Sequence, residues 1–535
     1  MPSAFIPDRK LPMKALFAGI LILVGWTLWQ SVGIEAMRLP WEDDILYTLP
    51  AVNWATGGNF SLPQLGHFMD ADIGWRWHMP LFPSLAAVWV KMAGYQLTVL
   101  RLFSLLPAAF MAFLLARCCA RLASQKDWPW MLFWLGVILG DKSFVMNSLN
   151  GRMEFWCLLA AIGSVTLALD SRKVSAFVFT GVLLGLAVGF HPLALYFLPG
   201  LFWMSTTGGL RASGAIGFQR KPAILFTLGF GLVILTIVLW FLADWPLTKL
   251  QFLAQVRATV RTSLAQNAIQ LFAGLKYNFR FQPIFPFIML AAMGIHLWHI
   301  LRRRRPDMPE KAVSIGLMLF TAGIIGFLLQ QPTIHLNYYP ALVLAALLLI
   351  AGALPILRQA PARTQKAALF ILFLLLVNNL AFIAAKTRTV WINRDLLDPA
   401  PMNAFLATEL KGANRCVLPP NLWLYGKQHQ LNFRVNFLPV LGQPKATYQA
   451  YLQSLLDWQP ETIILDRGDA SMRPDRYFAP EQLAAAGYVE QAHFDRVFRD
   501  RFLYDGYRLV VYRRVGAPPR QEHARFDFSQ TFQLN

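Results

Sequence analysis

The chain has 535 residues, of which 56% are hydrophobic and only 15% charged, and its mean hydropathy is +0.43. Soluble domains carry about 25% charged residues, so a water-soluble globular protein is excluded and a polytopic helical membrane protein is indicated. The net charge of +20 does not mark a nucleic-acid binder, because most basic residues sit in short clusters between apolar runs, where they set topology.

Apolar runs near 15–33, 97–116, 128–147, 154–170, 174–192, 193–207, 222–243, 283–300, 312–330, 338–357 and 367–386 predict about eleven transmembrane helices. The first run acts as an uncleaved signal anchor. An acidic cluster, Glu42-Asp43-Asp44, follows it, and carboxylates beside a bilayer are costly to desolvate, so they mark a functional site. The stretch Met79 to Tyr95 carries Pro80, Pro83 and Lys91, and reads as a helix lying in the interface or as a short span. Basic residues precede the first run (Arg9, Lys10, Lys14) and recur in alternate loops, notably at Arg117 with Arg121 and at Arg302 through Arg305. The positive-inside rule puts these loops and the N-terminus in the cytoplasm. The 34–96 loop, the 141–153 loop, 245–282, 331–337 and the C-terminal tail then lie outside. Cys118, Cys119, Cys157 and Cys416 show neither metal-ligand spacing nor a disulfide framework.

The outer loop 245–282 breaks the charge rule, with Lys249, Arg257, Arg261, Lys276 and Arg280 and no acid between Trp245 and Gln282. Arg257 and Arg261 are four apart, as are Lys276 and Arg280, so each pair shares a helix face. Two readings stand: a cradle for a phosphate, or an interfacial helix contacting anionic headgroups. From Thr387 the apolar runs stop. Strand-like stretches at Arg415–Leu418, Thr462–Asp466 and Arg508–Arg514 alternate with helical patterns near Met402–Lys411 and Tyr448–Trp458. The expected organisation is an all-α membrane region, 1–386, with a small extracytoplasmic α/β domain, 387–535.

The acidic loop, the interfacial stretch opening at His78-Met79-Pro80, and Leu100-Arg101-Leu102-Phe103-Ser104 at the start of the next span form an ordered set. Here the chain resembles the C-type glycosyltransferases, and within them the branch of protein O-mannosyltransferases and bacterial lipid A aminoarabinose transferases. That branch carries an acidic pair followed by a Tyr, matched by Asp43, Asp44 and Tyr47, then a proline-rich interfacial helix, then a Leu-Arg-Leu-Pro-Ser-like start to a span. Phe103 replaces the proline. The likeness continues at Gly151-Arg152-Met153-Glu154, at Gly185-Leu186-Ala187 with His191-Pro192, and from His335 to Pro340.

The resemblance implies an inverting glycosyltransferase in the bacterial inner membrane, taking a monosaccharide from a polyprenyl-phosphate donor to an envelope lipid, glycan or protein hydroxyl. Such transfer needs one carboxylate to take the acceptor proton and cations to stabilise the leaving phosphate. Asp43 is expected as the base by its motif position, with Asp44 orienting the site. Glu154 either contacts substrate or forms a structural pair with Arg152. His78 stands where relatives place a cation, and Arg257, Arg261, Lys276 and Arg280 are the basic-loop candidates for the phosphate. His191, His335 and Tyr338 are candidates at span ends. No cofactor or metal is expected, although Glu42, Asp43, Asp44, Asp70, Asp72 and Glu154 are hard oxygen donors of the kind distant relatives use. The rival readings are a flippase for lipid-linked sugars, for which no internal repeat is evident, and a non-catalytic assembly protein.

Overall fold

The computed structural model describes residues 13–32, 44–123, 128–170, 173–207, 219–259, 263–280, 282–302, 309–330, 338–436, 445–468, 477–496 and 507–515, with the backbone alone at several helical positions, Asp44 and Arg257 among them. Six helices among them are long and apolar enough to cross a membrane: Leu97–Leu122, Arg220–Leu242, Ile284–Leu301, Lys311–Gln330, Tyr339–Leu357 and Ala362–Ile392. Leu16–Ser31, Pro129–Leu139, Glu154–Leu169 and Ala176–Phe190 are shorter apolar helices. The eleven spans expected from hydropathy therefore resolve into six long helices and a set of shorter ones. Tyr339–Leu357 is buried along almost its whole length at the centre of the bundle, whereas Arg220–Leu242 and Ala362–Ile392 lie at its edge with most of their surface turned outward.

Two of the expected spans are broken. The run 128–147 divides into Trp128–Leu139 and Lys142–Asn147. At the break Asp141 accepts a hydrogen bond from the Phe144 amide at 2.9 Å, and a Cβ on Gly140 would lie 2.8 Å from that of Asn379, so the chain turns where another helix presses on it. The run 193–207 opens instead with a 3-10 turn, Pro192–Phe197, and only then becomes the helix Leu198–Thr206. Pro192 and Pro199, at helix-start positions, account for both boundaries.

The stretch 79–95 forms the helix Leu81–Ala93, with Phe82, Pro83, Ala86, Ala87 and Val90 buried and Val88 and Met92 exposed. It ends at Gly94 with φ of 87°. The basic loop folds into two helices, Trp245–Thr259 and Leu264–Phe279, the second opened by a capping box of Ser263 and Gln266. Helices Ala176–Phe190 and Arg220–Leu242 cross at glycines: a Cβ on Gly181 would stand 2.1 Å from the Phe226 carbonyl oxygen, and one on Gly229 the same distance from that of Val178. Small residues let the backbones touch, the usual means of joining helices in lipid.

The last long helix continues past residue 386 to Ile392, and a five-stranded sheet follows. Strands β1 (Cys416–Leu418), β2 (Phe433–Val435), β3 (Thr462–Asp466), β4 (Tyr488–Arg496) and β5 (Tyr507–Arg514) lie in the order β2-β1-β3-β5-β4. β1 runs parallel to β2 and β3, while β5 is antiparallel to β3 and β4. Central strand β3 is buried at every residue, so it reads in sequence as a continuous apolar run. Helices Ala400–Glu409 and Lys445–Asp457 occupy the two positions expected of them. The sheet rests on the first loop, where Phe68 meets Tyr451 edge to face at 6.0 Å and Arg434 packs against Gly66.

Candidate functional site

Four segments distant in sequence bring their polar groups to one buried point. The short helix Asp44–Tyr47 ends on Tyr47, whose ring lies 4.1 Å from that of His78, the planes tilted by 31°. The Arg152 guanidinium stands 5.1 Å from the same Tyr47 ring, within cation–π range. Arg152 grips Glu154 as a fork, Nε to both carboxylate oxygens at 3.0 and 3.2 Å and Nη2 to Oε1 at 2.7 Å. Each partner's side chain is only about 5% exposed. Glu154 opens its helix, where a carboxylate also meets the positive end of the helix dipole. The turn before it is held from two sides: Thr48 Oγ1 donates to the Gly151 carbonyl at 3.3 Å and Ser104 Oγ to that of Arg152 at 3.4 Å.

His191 follows the helix Ala176–Phe190 and is 5% exposed. Its Nδ1 accepts from the Leu193 amide at 3.0 Å, which leaves the ring proton of the neutral form on Nε2. Its ring is 5.4 Å from that of Tyr338. Burial pushes His191 down to about 4, against the pull of Glu154 and with the help of Arg152. Burial likewise holds His78 well below the ordinary histidine range, and Arg152 and His191 push in the same direction. Both imidazoles are therefore neutral at physiological pH, and the fixed charges among these residues are the paired Arg152 and Glu154. His78 Nε2 is buried with no hydrogen-bond partner among the described residues. A polar atom left bare in that way is ready for a ligand atom.

The structure thus brings Glu154, His78, His191 and Tyr338 of the expected residues into one contiguous cluster. Asp43, Arg261 and His335 lie outside the described residues, and only the backbone of Asp44 and Arg257 is described. Asp44 begins the helix that ends on Tyr47. Lys276 is exposed in the last turn of Leu264–Phe279 and Arg280 just beyond it. The Arg280 charge acts on Lys142, a buried cation on the Lys142–Asn147 helix that sequence reasoning passed over. Sequence reasoning also treated Arg152 only as a partner for Glu154. The signal was present: a cation and a carboxylate two residues apart at the head of a long apolar run must be paired to be buried.

No protein-family model and no curated protein matches the sequence. Solved structures do share the fold. ArnT from Cupriavidus metallidurans in the apo state aligns with a TM-score of 0.56 at 13% identity, covering 93% of this chain and 98% of that one. The same protein bound to undecaprenyl phosphate gives 0.52 at 10% identity, over 94% and 99%. The Archaeoglobus fulgidus oligosaccharyltransferase tethered to an acceptor peptide gives 0.50 at 10% identity, over 92% of this chain and 74% of that one. The chain therefore has the fold of these membrane glycosyltransferases over nearly its full length.

Proposed function

We propose that the chain is an inverting glycosyltransferase that moves a monosaccharide from a polyprenyl-phosphate donor to an envelope lipid, glycan or protein hydroxyl at the outer face of a bacterial inner membrane. The observation that carries this reading is the convergence of Tyr47, His78, Arg152 and Glu154 at one buried point, next in sequence to the acidic pair Asp43 and Asp44, on a fold shared with a protein that binds undecaprenyl phosphate. In this reading the shorter apolar helices also cross the bilayer, the N-terminus is cytoplasmic, and residues 387–535 form an outer domain above the site.

The step is a single displacement. The acceptor oxygen forms a bond to the anomeric carbon as the bond from that carbon to the phosphate oxygen breaks, with oxocarbenium character between. The acceptor proton passes to the Asp43 carboxylate, and the polyprenyl phosphate departs with the bonding electrons. Asp44 orients the site, and the negative charge that develops on the phosphate is met by Arg152, held in place by Glu154, and by hydrogen bonding from neutral His78 and His191. Arg257, Arg261, Lys276 and Arg280 draw the donor's phosphate toward the site, and His335 and Tyr338 border the sugar. Attack from the face opposite the phosphate inverts the anomeric configuration.

The test is mass spectrometry of envelope lipids, glycans and proteins from cells lacking the chain, complemented with wild type or Asp43→Asn at equal expression. One sugar-sized mass difference is expected with wild type and its loss with Asp43→Asn. Restoration of the same product by Asp43→Asn removes Asp43 as the base and favours the flippase or the non-catalytic assembly reading.

A further inference from the structure

Three backbone groups of one short strap converge on a single side chain of the basic segment. Gln251, in the helix Trp245–Thr259, is fully buried. Its Nε2 donates to the carbonyls of Met69 and Gly74, at 2.9 Å each, and its Oε1 accepts from the Arg76 amide. The strap it grips is in an unusual conformation. Met69 and Asp70 have φ of 48° and 55°, two consecutive non-glycine residues in the left-handed region, which persist only where the surroundings impose them. The strap is tied at Ala71, whose carbonyl accepts from the Leu62 amide, and at Trp75, whose amide donates to Phe60. Arg76 lays its guanidinium on the Trp240 ring at 3.8 Å.

The far end of the strap delivers the candidate site. The Trp75 indole N–H donates to the Leu46 carbonyl at 2.9 Å, fixing the strap against the helix that carries Tyr47. Trp75 stacks on Trp77 with centroids 5.7 Å apart and planes within 14°. Trp77 is followed at once by His78, whose ring sits on Tyr47. Buried tryptophans paired in this way transmit a shift of the strap rather than absorb it.

We propose that Gln251 is a positioning residue for His78: by holding the strap 69–76, with its left-handed pair at Met69 and Asp70, it sets where the unpartnered Nε2 of His78 stands toward the phosphate of the donor. The proposal rests on the transfer reading above and adds to it the side chain that couples the basic segment to the site. Gln251 touches no reacting atom and acts through three backbone hydrogen bonds.

The experiment uses the full chain in lipid nanodiscs with Gln251→Leu, which removes all three bonds, and Gln251→Glu, which keeps the acceptor for Arg76 and loses both donors. The first readout is independent of catalysis: the rate at which diethylpyrocarbonate modifies His78, followed by peptide mass spectrometry. Slow modification is expected in wild type and modification at least about tenfold faster in both variants, with His191 and His296 unchanged. The second readout is transfer from the donor found by the envelope experiment, where kcat falls on the order of ten- to a hundredfold and KM stays near its wild-type value. If Gln251→Leu is not recovered folded, Gln251→Glu carries the test alone. Unchanged labelling of His78, or a parallel rise at His191 and His296, overturns the proposal. Faster labelling of His78 in a protein without transfer activity upholds Gln251 as the determinant of His78 placement and removes the transfer reading instead.

Discussion

Replacing Arg152 with Met is expected to abolish product formation and to destabilise the protein by about 3–5 kcal/mol, because it leaves the Glu154 carboxylate buried without its counter-ion. The pair is enclosed, its partners only about 5% exposed, and the fork supplies three close contacts between them. Losing one partner therefore costs more than the pair contributes. The double substitution Arg152→Met with Glu154→Met separates the two effects. Stability should return close to the wild-type value, since two apolar side chains of similar volume need no solvation, while the sugar-sized product stays absent. Thermal unfolding midpoints in detergent, measured beside envelope mass spectra, read both. A double variant that recovers transfer along with stability would make the pair purely structural.

The second large effect is expected far from the site. Gly229→Ala puts a Cβ 2.1 Å from the Val178 carbonyl oxygen, where side-chain carbons are essentially never found closer than 3.0 Å, and the clash is with backbone. Helices Ala176–Phe190 and Arg220–Leu242 must separate, at a cost of about 1–3 kcal/mol or more. Gly181→Ala meets the Phe226 carbonyl in the same way and should match it. Gly231→Ala, on the same helix with nothing within 4 Å of its added Cβ, is the control and should leave the midpoint unchanged or raise it slightly. Because His191 closes the first of these helices, transfer should fall in the clashing variants as well as stability.

The sequence announces its class through composition and its long helices through runs of apolar residues, because a bilayer demands that signal of every span. It also gives β1, β3 and β5 to within a residue or so at each end, since their buried faces leave continuous apolar stretches. Strand β4 was missed for the opposite reason. Its inner residues, Val489 to Asp495, are exposed or only partly buried, and pairing with β5 rather than side-chain burial holds it. The breaks at Gly140-Asp141 and Phe197-Leu198 lay inside windows apolar enough to mask them. In the site, motif spacing pointed to His78, Glu154, His191 and Tyr338, but not to the contact of Tyr47 with both His78 and Arg152. That contact joins segments about thirty and a hundred residues apart, and no local pattern encodes it. Gln251 is the extreme case: an amide in a basic segment, indistinguishable in sequence from any surface glutamine, whose role comes wholly from the strap 175 residues earlier.

The helix Ala362–Ile392 has 31 residues, about 46 Å of rise at 1.5 Å per residue, against roughly 30 Å of hydrocarbon in a bilayer. Its apolar run, 367–386, accounts for that thickness by itself, so residues 387–392 carry the chain about 9 Å further before the sheet begins. Such a stiff post works as a ruler. In the proposed transfer reading it would set the headroom beneath the sheet, so that an acceptor would be selected by the height at which its hydroxyl rides above the membrane as well as by its chemistry. Inserting one helical turn after Ile392 would raise that ceiling by about 5 Å and should shift preference toward bulkier acceptors while leaving the donor site as it is.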